Sequence, residues 1–118
     1  MINIKKLVKD TLSNTDILNL TTDKKVYFLH AENPTTPYIE YEIFDENGEE
    51  WAENKEIATN YYVQVDIFSK KDYTDLENKI KEVMTNADFS RSMCADLYEN
   101  DTQLFHKAMR FFITLNNN

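Results

Sequence analysis

The chain has 118 residues, of which 42% are hydrophobic and 13% aromatic, so a single domain can bury a core without a metal or a disulfide. Thirteen basic and twenty-one acidic residues give a net charge of −8, which argues against a protein that binds nucleic acid through phosphate contacts. The single cysteine, Cys94, cannot form an internal disulfide, and we expect an intracellular, reducing environment. No apolar run approaches the roughly 18 residues that span a bilayer, and the N-terminus lacks the apolar stretch of a secretory signal.

The N-terminal third predicts a short helix, a short strand and a loop. Apolar side chains recur at helical spacing within residues 2–13, with lysines between them, which is typical of an amphipathic helix. Asn14 or Thr15 ends this helix or caps a following turn. A brief apolar run at residues 26–29 predicts a strand, and two prolines make residues 31–37 a loop.

The next segment predicts one arm of a hairpin and a long connection. Residues 38–44 alternate between apolar and acidic or aromatic positions, which is typical of a strand with one wet face. Asn47-Gly48 follows, and this pair after an alternating strand is a strong hairpin signal. Regular alternation resumes only near Ile57, so we predict a protruding connection over residues 45–56. It holds six carboxylates and one lysine and therefore carries five of the eight net negative charges.

The centre of the chain predicts a strand that leads directly into a helix. Residues 61–68 alternate, and β-branched and aromatic side chains make one face apolar. The members of that face are Tyr61, Val63, Val65 and Ile67. At Ser69 the period changes, and apolar residues over 73–84 fall at helical spacing, with Asp72 as the predicted N-cap.

Two further strands complete the predicted domain. Residues 91–99 alternate weakly, residues 99–102 have the composition of a turn, and residues 105–115 form a strong strand. The predicted class is α+β in one domain over residues 1–118. A mostly antiparallel sheet of four to five strands packs against one main amphipathic helix plus an N-terminal helix. Because aromatic residues fall on both faces, we expect a second covering surface, either the N-terminal helix or another subunit.

The residues that carry common site chemistry are sparse. Gly48 is the only glycine, which excludes phosphate-cradling loops and dinucleotide fingerprints. His30 and His106 lie far apart with no ligand-like neighbour at short spacing, so we interpret both as structural or surface residues. Cys94 between Met93 and Ala95 is interpreted as a small buried hydrophobe rather than a nucleophile.

The acidic segment likewise predicts no catalytic or metal site. Residues 45–48 place their glycine at the fourth position, whereas a calcium loop needs it at the sixth. Glu49 and Glu50 are interpreted as a solvated charge run. Trp51, the only tryptophan, is equally an interface anchor or a cover for the protein's own sheet. We therefore predict no enzyme, no cofactor and no catalytic, cofactor-binding or metal-binding residues.

Three stretches carry a resemblance to a known family. Residues 97–113 resemble the C-terminal hairpin of phage tail-completion proteins, the small head-to-tail joining or tail-terminator proteins of long-tailed phages and prophages. Residues 62–68, with the charged helix after them, are similar to that family's central strand and helix. Residues 37–41 resemble its strand that opens after a proline loop, and the likeness extends over roughly residues 1–115.

The resemblance implies a structural virion protein without catalysis. Family members assemble in the host cytoplasm, typically as hexameric rings at the top of the tail tube. There they contact tail-tube and head-connector proteins, and DNA passes through without specific binding; no membrane is involved. By position, the connection at residues 45–56 would contribute to the ring or its lumen, whether or not the isolated chain is monomeric. The candidate oligomer or lumen residues are Glu46, Asn47, Glu49, Glu50, Trp51 and Glu53.

The resemblance leads to two hypotheses about the acidic connection, and two other function classes remain open. The acidic connection would face the channel and repel DNA phosphates, and it would be mobile until assembly orders it. The first alternative is a cytoplasmic acidic protein–protein interaction module, an adaptor or inhibitor that engages a basic partner. The second is a small-molecule-binding or enzymatic α+β domain, which would need a pocket with converging polar groups.

Overall fold

The computed structural model describes residues 2–53 and 55–117, and the side chains of those residues other than 50–52. Its helices are α1 (Ile4–Leu12), α2 (Thr15–Leu18) and α3 (Thr74–Asn86), and its strands are β1 (Val26–Phe28), β2 (Tyr38–Ala52), β3 (Lys55–Ser69), β4 (Ser90–Glu99) and β5 (Leu104–Asn116). The strands form one sheet in the order β1-β2-β3-β5-β4, in which only β1 and β2 run parallel. This architecture confirms the predicted α+β class. Within the described residues, no helix is both long and apolar enough to cross a bilayer.

The two N-terminal helices begin at asparagine caps. The Asn3 side chain accepts a hydrogen bond from the Lys6 amide at 3.0 Å, and the Asn14 side chain accepts one from the Asp16 amide at 2.8 Å. Each bond satisfies one of the amides that a helix start leaves without an internal partner. The predicted N-terminal helix is confirmed.

The start of α3 differs slightly from the prediction. Tyr73 occupies the N-cap position and makes no side-chain cap bond. Asp72, the predicted cap, accepts from the Thr74 amide at 2.9 Å and from its hydroxyl at 2.6 Å. The carboxylate therefore supports the first turn from one residue further upstream, because a chain that leaves a strand through a bend places its short polar side chain there.

All three helices cover the same face of the sheet, here named the covered face. The core beneath them includes Val8, Leu12, Ile17, Leu76, Ile80 and Met84 from the helices and Ile39, Tyr41, Tyr61, Val63, Val65, Ile67, Met109 and Phe111 from the strands. The predicted apolar side of β3 is confirmed. Because α1 packs beside α3 in this core, it does not cover the opposite face, and that half of the predicted alternative is wrong.

The predicted connection over residues 45–56 is wrong, because most of it is strand. β2 and β3 pair along their whole length, and Gly48 lies opposite Thr59 inside the ladder rather than in the turn. The chain reverses after Ala52, where Glu53 takes a positive φ of 51°. A bulge between Ile43 and Asp45 shifts the register and breaks the alternation. Residues 45–53 and 55–56 are here named the distal ribbon, and it extends beyond Ala58, the last residue of β3 that pairs with β5.

Candidate interaction surface

The second face of the sheet, here named the uncovered face, carries a row of aromatic side chains. Phe44, Tyr62 and Phe112 cross β2, β3 and β5, with ring centroids 6.1 Å and 6.4 Å apart. Phe44 is 38% exposed and Phe112 39% exposed. No helix among the described residues packs against this row. Exposed rings side by side on a sheet are typical of a surface that another molecule covers.

A chain of hydrogen bonds crosses the same face below the aromatic row. The Arg110 guanidinium lies 4.4 Å from the Phe44 ring centroid and donates from Nε to Gln64 Oε1 at 2.9 Å. Gln64 Nε2 in turn donates to Asp66 Oδ1 at 2.9 Å, and Asp66 bonds His106. The hydrogen bonds fix side chains of two neighbouring strands, β3 and β5, and the contact of Arg110 with Phe44 adds β2, so this part of the face is preformed.

His106 on the uncovered face lies between two carboxylates and an aromatic ring. Its Nε2 lies 2.6 Å from Asp66 Oδ1, its Nδ1 lies 3.4 Å from Glu99 Oε2, and its ring stacks on Phe68 at 4.3 Å. The hydrogen bond to Asp66 raises the pKa of His106 above the usual 6.5, partial burial opposes the shift, and neighbouring carboxylates reinforce it. Two acceptors favour the imidazolium, which donates from both nitrogens. Burial raises the pKa of Glu40 beside it.

A second ionic cluster lies on the covered face and centres on Lys107. The Lys107 ammonium is almost fully buried and lies 3.1 Å from both Glu77 Oε2 and Asp96 Oδ1. The Tyr73 hydroxyl also donates to Asp96 at 2.6 Å. Burial disfavours the charged form of Lys107, but its hydrogen bonds to Asp96 and Glu77 outweigh this and raise the pKa. Sequence analysis missed this cluster, although a lysine at a core-facing position of β5 was its visible signal.

A cleft of about 440 Å³ opens beside this cluster at the start of α3. Its lining residues are Lys71, Asp72, Tyr73, Thr74, Glu77, Asp96 and Phe105. Several of the polar groups that line it bond one another: Tyr73 donates to Asp96, and Asp72 accepts from Thr74. The cleft therefore borders the ion-pair cluster, and these polar groups are bonded to one another rather than directed at a ligand.

The other residues considered for chemistry lie apart. Cys94 pairs with Met109 on the covered face and is half-buried, whereas His106 projects from the uncovered face, so the sheet separates them. His30 is exposed in the loop after β1. Within residues 2–53 and 55–117, no group of three or more His, Cys, Asp or Glu side chains is placed to hold a metal ion.

The candidate residues of the distal ribbon lie on both of its faces instead of forming one cluster. Glu46 pairs with Tyr61, while its neighbour Asn47 pairs with Asn60, and Asn47 Oδ1 accepts a hydrogen bond from Asn60 Nδ2 at 3.0 Å. Glu46, Asn47, Glu49 and Glu53 are all exposed. The side chains of Glu50 and Trp51, which were also candidates, lie outside the described residues.

Sequence analysis also missed the edge formed by β4. This strand ends the sheet beside β5, and no strand among the described residues pairs with its outer side. Met93 is 51% exposed, Leu97 48% and Tyr98 52%. The weak alternation of this segment was the available signal, because an edge strand with water on both faces has little reason to alternate.

Comparisons with known proteins assign no family to the chain. No model of a protein family matches it, and no curated protein matches it.

Proposed function

We propose that this protein is a structural subunit that acts by association rather than catalysis, as a tail-completion protein in the virion tail of a phage or prophage. In this role it forms a ring that joins the tail tube to the head connector. The observation that carries the proposal is the uncovered face, where Phe44, Tyr62 and Phe112 stand in a row that no described helix packs against. A lone subunit leaves these rings in water, whereas a ring of subunits would bury them.

The elements that carry the family resemblance support the proposal. Residues 97–113 form the greater part of the β4–β5 hairpin, and residues 62–68 lie in β3 directly before α3. Residues 37–41 open β2 after the proline loop. The three stretches therefore occupy adjoining strands of one sheet, in the chain order that the resemblance implies.

The charge of the distal ribbon suits a lumen better than a DNA-binding site. Glu46, Glu49 and Glu53 are exposed, and the ribbon extends beyond the last residue of β3 that pairs with β5, Ala58. Carboxylates on the wall of a ring channel repel DNA phosphates, so the genome slides through without adhering. Lumen placement of the ribbon is part of the proposal.

Native mass spectrometry with electron microscopy of the purified chain tests the proposal. We expect rings of one uniform copy number at high protein concentration. Phe112→Asp should abolish them, because it places a charge in the aromatic row. Phe28→Asp is the matched control, since Phe28 is equally exposed at 38% but lies on the covered face. Loss of rings in both variants, or no ring in the wild type beside tail-tube protein, would overturn the proposal.

The alternative of an acidic interaction module has one specific observation in its favour. The distal ribbon exposes Glu46, Glu49 and Glu53. Among the described residues, no basic side chain forms an ion pair with any of these three carboxylates. A basic partner could pair with them. A chain that remains monomeric and binds a basic protein in a salt-sensitive manner would favour this module over the ring.

A further inference from the structure

We propose that β4 pairs edge to edge with β4 of a second copy, about a two-fold axis through Ala95, so that two five-stranded sheets become one. This inference does not rest on the proposed function. It concerns the opposite side of the sheet from the distal ribbon, because β5 and the body of β3 separate β4 from that ribbon.

The backbone of β4 makes it suited to strand pairing. Ser90–Glu99 is an edge strand of ten residues without proline or lysine, the residues that usually protect an edge. One protective feature is present, a register shift between Arg91 and Met93 at the start of the strand. From Met93 to Glu99 the pairing with β5 is regular, so the outer side presents a regular row of amide and carbonyl groups. Another β-strand is the partner that matches such a row.

The side chains on the uncovered face of β4 are complementary to themselves. Met93, Ala95 and Leu97 pair with Arg110, Ala108 and His106 of β5, so all three project from that face. Antiparallel pairing about Ala95 sets each Met93 opposite the second copy's Leu97, and the two Ala95 residues opposite each other. Met93 and Leu97 are about half exposed in the single chain, and the pairing buries both against apolar neighbours.

The ends of β4 fit the same register. The bulge before Met93 places Arg91 on the covered face with Tyr98, because these residues pair with Phe111 and Phe105 of β5. In this arrangement Arg91 of each copy lies beside Tyr98 of the other, and the contact occurs twice because of the two-fold axis. Both side chains are exposed in the single chain, so they can reach across. Pairing β4 with the free edge of β2 instead would set Glu99 against a strand that carries Glu42, Asp45 and Glu46. The observations therefore favour a second copy joined through β4 itself.

The pairing closes at two copies, because each β4 has only one free side. The axis stands perpendicular to the sheet, so both helix layers lie on the same side of the joined sheet. Any larger ring must use a different surface. If no ring forms, the β4 pairing can still occur. If β4 does not pair, the ring proposal is likewise unaffected.

Disulfide trapping tests the register directly in a Cys94→Ser background. Ala95→Cys should give a disulfide-linked dimer in mild oxidant, because paired residues across two strands have Cα atoms about 5 Å apart. Ala108→Cys is the matched control on the neighbouring strand, paired with Ala95 on the same face. Across the axis the two copies of residue 108 are three strand spacings apart, about 14 Å, beyond disulfide reach. Equal trapping of both variants, or none of either, would overturn the proposal.

Sedimentation of β4 variants gives a second readout that needs no cysteine. Tyr98→Ala should weaken dimerisation roughly threefold, because it removes the ring that lies beside Arg91 of the second copy. Leu97→Lys should abolish the dimer, whereas Ile57→Lys should not, since Ile57 is similarly exposed at 42% but lies on β3 near the distal ribbon. A wild-type chain that stays monomeric at millimolar concentration would refute the pairing.

Discussion

The two faces of this sheet are made of the same strands, yet they are completed in different ways. On the covered face, three helices bury aliphatic and aromatic side chains of β2, β3 and β5, and the Lys107 ammonium is buried against Glu77. On the uncovered face, Ala31 of the loop after β1 packs with Tyr38, Phe68 and Leu104 in a second, smaller core. Beside this core, Phe44 and Phe112 of the aromatic row remain exposed. One face is therefore buried along its length, whereas the other is buried at one end and exposed at the aromatic row.

Neighbouring phenylalanines on β5 provide the strongest test of this difference. Phe111 is fully buried in the core, whereas Phe112 is 39% exposed on the uncovered face. Phe111→Ala should lower the free energy of unfolding by about 3–5 kcal/mol, because it leaves a cavity. Phe112→Ala should cost about 1 kcal/mol or less in the monomer. Urea denaturation measures both values, and equal losses would mean that the faces do not differ as described.

Two cationic side chains of β5, Lys107 on the covered face and Arg110 on the uncovered face, should differ in their contribution to stability. Lys107→Met leaves Glu77 and Asp96 without their shared cation and should cost about 2 kcal/mol, although Lys81 continues to pair with Glu77. Arg110→Met on the uncovered face should cost about 0.5–1 kcal/mol, since it removes one hydrogen bond and one cation–π contact. Thermal unfolding of the two variants gives the comparison. A larger loss for Arg110→Met would contradict it.

His106 gives the uncovered face a pH dependence. Because the folded-state pKa of His106 is raised above 6.5, its stabilisation is complete below that pH and is lost as pH rises through the folded pKa. His106→Gln should remove this part of the pH profile and cost about 1 kcal/mol at pH 6. The carboxylates that face the ring are Asp66, Glu99 and Glu40. A wild-type stability that rises between pH 6 and pH 8, or an unchanged profile in the variant, would refute the assignment.

The distal ribbon should give the smallest change in stability. Replacing Glu46, Glu49 and Glu53 by glutamine removes exposed charges and should alter the free energy of unfolding by about 0.5 kcal/mol or less. In the proposed ring, the same variant with Glu50→Gln should slow DNA ejection while rings remain intact. Calorimetry and an ejection assay separate the two effects. Unchanged ejection would count against a lumenal ribbon, and a large stability loss would show that these carboxylates have structural partners.

Much of the fold could be predicted from the sequence, because a strand or helix that buries only one face repeats its apolar residues at a regular spacing. Tyr61, Val63, Val65 and Ile67 predicted the buried side of β3, and the helical spacing before Met84 predicted α3. The helical spacing of residues 2–13 predicted α1 in the same way.

The candidate surfaces were harder to predict for the same physical reason. In the distal ribbon, exposed residues lie on both faces, so its strands show no alternation of apolar and polar residues. The bulge after Ile43 also shifts by one residue the positions that face each side. Asn47-Gly48 suggested a turn, yet Gly48 sits in the ladder, where a Cβ would meet the Glu56 carboxyl carbon at 2.5 Å. The exposed edge of β4 gave only a weak signal. Pattern reasoning detects what a chain buries within itself and misses what it leaves for another molecule.

Sedimentation velocity of the wild-type chain, from micromolar to millimolar concentration, tests most directly whether the subunit works through its own free surfaces. We predict a mass that rises with concentration above that of a single chain, at an ionic strength near that of the cell. A single monomeric species over the whole range would contradict the central claim.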